Sequence, residues 1–242
     1  MTTSTYESSY RLKKNGIEKF DPLLRKLYPI VKILSKIKEP LIEGLENIPK
    51  TGPLLVLPKH RYYVDIAVIW GIIRKADRYP NYIMKSDLPG IFSYLNGIKL
   101  NRLMDIMSRL KDARKSPNPY ETRKKIIIDA KRVNQSSLDY MAHLLRNGEV
   151  VISFPEGTFY NNGVGPIKPD KVIRTTIELQ NKLDRKIGII PIGTEYKGKS
   201  QSDVYVKIGK PFTLDDFTRD FVVDEKGLVR KIHQEISLLS GF

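Results

Sequence analysis

The chain has 242 residues, 40% of them hydrophobic and 29% charged, enough for one large domain or for one domain with a small helical appendage. A formal charge of +15 and an isoelectric point near 9.7 imply attraction to an anionic partner: nucleic acid, a phospholipid surface or a phosphorylated substrate. There is no cysteine, which excludes disulfides, a thiol nucleophile and a thiolate-held metal, and His60, His143 and His233 stand too far apart for a zinc-type spacing.

The polar start, Met1 to Tyr6, lacks a signal-peptide core, and no apolar run reaches the roughly 18 residues of a spanning helix. Residues 1–39 are expected to form a basic helical segment. Asp21 and Pro22 read as an N-cap and first helical position, with Leu23, Leu24, Leu27, Val31, Leu34 and Ile37 recurring at helical spacing. Pro29 kinks or divides that helix, and Lys32, Lys36 and Lys38 lie along its apolar stripe. Such a segment either packs on the core as an accessory helix or lies in a phospholipid interface.

From Pro40 onward, residues 40–242 alternate short strands and helices. Pro40 to Ile48 predicts a strand turning at Gly44, and Pro53 to Leu57 a buried strand that stops before His60. Asp65 to Ile73 predicts a helix, and Tyr82 to Met84 and Ile98 to Leu100 predict strands. Arg109 to Pro119, basic and ending in Ser-Pro-Asn-Pro, reads as a linker. Glu121 to Arg146 then reads as a long helix closed by Asn147 and Gly148. Glu149 to Phe154 predicts a second buried strand, Asp170 to Lys182 a helix, Ile187 to Ile192 and Val204 to Ile208 strands, and Asp224 to Leu239 a closing helix. This alternation predicts a layered α/β domain, a central mixed sheet flanked by helices.

Two short strings fall just past strand ends, where open α/β sheets bind ligands. In the first, His60 is followed by four residues and Asp65, whose carboxylate is placed to fix the imidazole tautomer. No nucleophile adjoins the pair, so the substrate supplies one: a hydroxyl deprotonated by His60 and able to attack a thioester carbonyl. The second string is Phe154-Pro155-Glu156-Gly157-Thr158, with Gly157 permitting a tight turn and Glu156 able to hold another acceptor hydroxyl. Arg102, Lys168 and Lys171 are candidate partners for anionic groups. His143 and His233 sit inside helical patterns without a motif and read as structural.

These residues, in this order, resemble the blocks of the glycerophospholipid acyltransferase superfamily, the lysophosphatidate and glycerol-3-phosphate acyltransferases. The blocks are Gly44 to Pro49 before an apolar strand, His60 with Asp65, Gly97 to Arg102, Phe154 to Thr158, and Ile190-Pro191-Ile192. The resemblance implies that His60 is the base and Asp65 its orienter. It also implies that Glu156, Gly157 and Thr158 line the acceptor site and that Arg102 and Lys168 bind phosphate. The implied donor is acyl-CoA or an acyl-carrier protein, the acceptor a lysophospholipid or glycerol phosphate, with no metal or cofactor. Three residues depart from the pattern: Lys59 for asparagine, Asn101 for aspartate, and Phe159 for an arginine that grips acceptor phosphate. An aromatic ring cannot make that bidentate contact.

The expected activity is O-acyl transfer in phospholipid synthesis by a peripheral protein at the cytoplasmic face of an anionic membrane. Phe159 keeps a second acceptor class open, another lysolipid, glycerol-3-phosphate or a lipid amine. Nucleic-acid binding is the third reading. It rests on overall charge and the basic stretches Arg109 to Lys115 and Arg123 to Arg132, without a nucleic-acid motif or interleaved aromatics.

Overall fold

The strands are β1 (Leu41–Glu43), β2 (Leu54–Pro58), β3 (Pro80–Lys85), β4 (Gly97–Leu100), β5 (Val150–Ile152), β6 (Gly188–Lys197) and β7 (Asp203–Ile208). The computed structural model describes residues 39–85, 97–197, 203–220 and 222–242. The expected N-terminal helical segment therefore lies outside the described residues, Glu39 excepted. The seven strands make one mixed sheet in the order β1-β7-β6-β2-β5-β3-β4. β6, β2, β5, β3 and β4 run parallel, and β7 turns antiparallel to β6 with β1 parallel to it at the edge.

The apolar runs sit where their composition requires. Every residue of β2 and of β5 is buried, as expected of central parallel strands covered on both faces. Side chains of a strand alternate between the two faces. Leu55, Leu57, Val151 and Ile189 enter one core with Met141 and Leu145 of the helix α3 (Pro119–Arg146). Val172 and Ile173 of α4 (Lys171–Gln180) and Ile232 and Ile236 of α5 (Glu225–Leu239) complete that core. Tyr82 of β3 points to the opposite face, where its hydroxyl donates to Ile66 O of α1 (Val64–Lys75) at 2.7 Å. Helices thus cover both faces, and burying one such apolar side chain contributes about 1.5–3 kcal/mol. Among the described residues, no helix is long and apolar enough to cross a membrane.

α3 starts two residues before its predicted start at Glu121, and the Asn-Pro read as the end of the linker caps it. The Asn118 side chain accepts from Glu121 N and Pro119 occupies the first helical position of α3, while Gly148 beyond its end adopts φ +78°. Asp170 caps α4 by accepting from Ile173 N at 2.9 Å.

Three local expectations need correction. The stretch read as a linker is largely helical: α2 spans Leu103–Asp112 and a 3-10 turn covers Ala113–Lys115. Its basic residues and the following Ser-Pro obscured Ile106 and Leu110, which recur at helical spacing and are half-buried where α2 packs on α3. Only Leu41–Glu43 of the first predicted strand is extended; Gly44 (φ +82°) turns the chain into a 3-10 helix, Leu45–Asn47. β6 runs past its predicted end at Ile192, because its pairing with β7 continues to Lys197 opposite Asp203.

Candidate active site

β2, β5 and β4 run in one direction, so their carboxyl ends open on one edge of the sheet. From β2 the chain delivers Lys59 and His60, from β5 it delivers Glu156 and Gly157, and from β4 it delivers Arg102. Strand order, rather than sequence proximity, brings the two strings together.

Asp65 lies in the first turn of α1 and is fully buried. Its Oδ2 accepts from Arg61 N at 2.6 Å and Tyr62 N at 2.8 Å, and lies 3.3 Å from His60 Nδ1. Its Oδ1 accepts from the Tyr196 hydroxyl. A buried carboxylate without partners would cost several kcal/mol, and these donors offset that cost. Since an ionised carboxylate only accepts, the Nδ1 facing it carries the proton and Nε2 is left as the acceptor. The imidazole is only 12% exposed. It stacks on Phe154 at 4.0 Å between ring centroids and meets Phe159 at 4.2 Å on another side.

Glu156 is tied into the protein from both oxygens. Lys59 Nζ donates to Oε1 at 2.8 Å and to Oε2 at 3.0 Å, and both side chains are wholly buried. Gly165 N donates to Oε1 at 2.6 Å and His60 N to Oε2 at 2.9 Å. Lys59 also donates to Tyr160 O at 2.7 Å, and Tyr160 N donates to His60 O at 3.0 Å. The carboxylate thereby joins the two strings at the backbone of His60. Burial draws the Lys59 ammonium below the usual lysine range, and the ion pair with Glu156 opposes that pull.

Gly157 sits at φ +68°, a conformation that favours glycine, and is exposed. Its carbonyl accepts from Arg102 Nη1 at 2.6 Å. The rest of that guanidinium faces Asp105, with Nε 3.0 Å from Oδ2, so Arg102 reaches the catalytic edge. Thr158 is exposed beside Gly157. Lys168 is exposed on the segment entering α4, and among the described residues no hydrogen bond or ion pair links it to the His60 network. Lys171 lines a cavity of about 550 Å³ between α3 and α4 with Lys131, Arg132 and Arg174. It does not adjoin the histidine in any described contact.

A family model described as Acyltransferase matches residues 39–195, which carries every one of these strand-end residues. The chain belongs to the acyltransferase family. Among solved structures it is similar to the 1-acyl-sn-glycerophosphate (LPA) acyltransferase PlsC from Thermotoga maritima. The two share 18% sequence identity and a TM-score of 0.57, over 98% of this chain and 88% of the other, which is a likeness of fold. Comparison with curated proteins finds no match. The family resemblance carried by the motif blocks therefore holds.

In this acyltransferase two partners were not singled out from sequence. In the sequence Lys59 reads only as a departure from asparagine, and nothing local indicates that it meets Glu156 97 positions later. Tyr196 lies 131 positions beyond Asp65, on the part of β6 that outruns the predicted strand. Burial, and then the charge of Asp65, push the Tyr196 hydroxyl far above the usual tyrosine range, so it remains a donor. Tyr196→Phe removes that donor and is expected to destabilise the fold by about 1.5–3 kcal/mol. Urea unfolding measures it; an unchanged midpoint would show that the hydroxyl contributes nothing to holding Asp65.

Proposed function

We propose that this acyltransferase moves a fatty acyl group from a thioester donor, acyl-CoA or acyl-carrier protein, to the hydroxyl of a lysophospholipid of the 1-acylglycerol-3-phosphate kind. The observation that carries this reading is the His60–Asp65 pair, its carboxylate buried and its imidazole 12% exposed at a strand end, with no serine or cysteine in contact with it among the described residues. His60 Nε2 takes the acceptor hydroxyl proton as that oxygen bonds to the thioester carbonyl carbon. The tetrahedral intermediate collapses with loss of thiolate, a ready leaving group because a free thiol ionises at pH ~8.5. The imidazolium returns its proton to the sulfur, so the histidine ends as it began.

Asp65 orients the imidazole and stabilises it when charged. Both oxygens of Glu156 are already occupied by donors from Lys59, His60 and Gly165, so we assign it to positioning the His60 backbone rather than to gripping a second acceptor hydroxyl. Gly157 and Thr158 line the exposed turn beside it, and Arg102 supplies positive charge there with Lys168 as a more distant contributor. The structurally similar Thermotoga protein is a 1-acyl-sn-glycerophosphate acyltransferase, which supports a phosphate-bearing acceptor.

Phe159 favours a second reading, transfer to a lysolipid with another headgroup or to a lipid amine. Its ring packs against His60 and, at 4.7 Å, against Tyr63, giving an apolar rim where the related pattern has an arginine. Release of free CoA from acyl-CoA, measured over a panel of lysophosphatidate, glycerol-3-phosphate, lysophosphatidylcholine and a lysolipid amine, separates the readings. Strict dependence on a phosphomonoester supports the first. Equal rates with zwitterionic lysolipids would replace it with the second.

A further inference from the structure

We propose that the exposed face of α2 docks on an anionic phospholipid surface and sets the depth of the catalytic edge against it, an inference that rests on the lipid-acceptor reading above. Leu103 is 70% exposed, Met104 72% and Met107 46%. At about 100° per residue, Leu103, Met107, Lys111 and Met104 share one arc of about 100° on the helix. Ile106 and Leu110 fall outside it and are half-buried. Large apolar side chains grouped on one exposed helical face mark an interaction surface rather than scattered surface residues.

The charge around this face selects the partner. Lys111 lies within the arc, and Arg114 and Lys115 of the following 3-10 turn are exposed. Long basic side chains beside an apolar stripe keep their heads at phosphate level while their stems lie along the apolar surface. The chain's formal charge of +15 acts in the same sense. A protein partner with an apolar groove would not need that flanking charge, whereas an anionic bilayer supplies both complements.

Position ties the face to the chemistry. Arg102, the residue before Leu103, donates to Gly157 O at 2.6 Å, and Phe159 just beyond packs on His60. The apolar face therefore begins at the rim of the His60 crevice. An interfacial helix sinks roughly 5–10 Å into the boundary between headgroups and acyl chains. The glycerol hydroxyl of a lysolipid lies at that boundary, so docking through α2 would present it to His60 without extracting the lipid.

The absence of cysteine allows a direct test in the full chain. Met104→Cys and Met107→Cys carry a polarity-sensitive fluorophore, with Leu238→Cys on α5 as the control. Mixed phosphatidylglycerol and phosphatidylcholine vesicles should blue-shift the labels at 104 and 107 and shield them from an aqueous quencher, with no change at 238. Lys111→Gln should weaken vesicle partition about fivefold, one cation's share of attraction to an anionic surface. Vesicle-bound protein whose α2 labels do not shift overturns the proposal and moves the contact to another part of the chain. Labels already blue before vesicles are added also overturn it, because another part of the chain then covers the face. Acylation of a monomerically dispersed short-chain lysophosphatidate by the unaltered protein tests the functional reading separately. Failure there with shifted labels would refute the acceptor while leaving the docking surface standing.

Discussion

His60→Ala is expected to lower kcat for acyl transfer by about 10²–10⁴-fold, the usual contribution of a positioned general base. The imidazole is the only described side chain that combines a fixed tautomer with a place at the strand-end crevice. Its Nδ1 faces a buried carboxylate already held by two backbone N–H groups and a tyrosine hydroxyl, so the ring has little freedom to turn. Removing the imidazole leaves Asp65 with its other donors, and the fold should survive. The measurement is CoA release against urea unfolding of the same variant. Undiminished release from a folded His60→Ala protein would refute the mechanism. Some rate above the uncatalysed reaction should persist, because positioning two substrates side by side accelerates transfer without the base.

The second large effect belongs to the Lys59–Glu156 pair. Lys59→Met strands a buried carboxylate and is expected to destabilise the protein by about 3–5 kcal/mol, the usual consequence of removing one member of a buried ion pair. Glu156→Gln should cost a similar amount, since the NH2 that replaces one oxygen cannot accept from the backbone N–H it faces, of His60 or of Gly165, and the buried Lys59 ammonium loses its counter-charge. The two changes combined should cost less than their sum, with a coupling of about 0.5–3 kcal/mol. Strict additivity in urea unfolding would show that the two groups do not hold one another. A positioning role makes a further demand: where Glu156→Gln is still folded, kcat should fall while KM changes little, because the carboxylate holds the backbone of His60. An equal rise in KM with kcat unchanged would return Glu156 to the acceptor site.

Phe159 shows how one substitution looks different in sequence and in space. Along the chain it is a lost phosphate ligand. In the fold it closes an aromatic enclosure of His60 with Phe154 and extends it to Tyr63. Such surroundings exclude water from the imidazole on two sides, which strengthens its bond to Asp65.

The core strands and both strings were legible because their signals are local. β2 and β5 are continuous apolar runs, α3 has a terminal Asn147-Gly148, and His60 and Asp65 stand on one turn. Misreadings arose where local signals conflict. In α2 the basic residues and Ser-Pro dominated a helical pattern whose apolar residues are mostly exposed, so burial could not announce it.

What local pattern cannot carry is which strands become neighbours. Parallel pairing of β2 with β5 joins Lys59 to Glu156, and the antiparallel pairing that lengthens β6 brings Tyr196 to Asp65. Those contacts depend on closing loops of many residues, whose entropic cost is met by the whole sheet rather than by any one segment. The residue types at the catalytic edge can thus be read one string at a time. Their orientation, and the buried charge pair that sets it, exist only once the strands are in register.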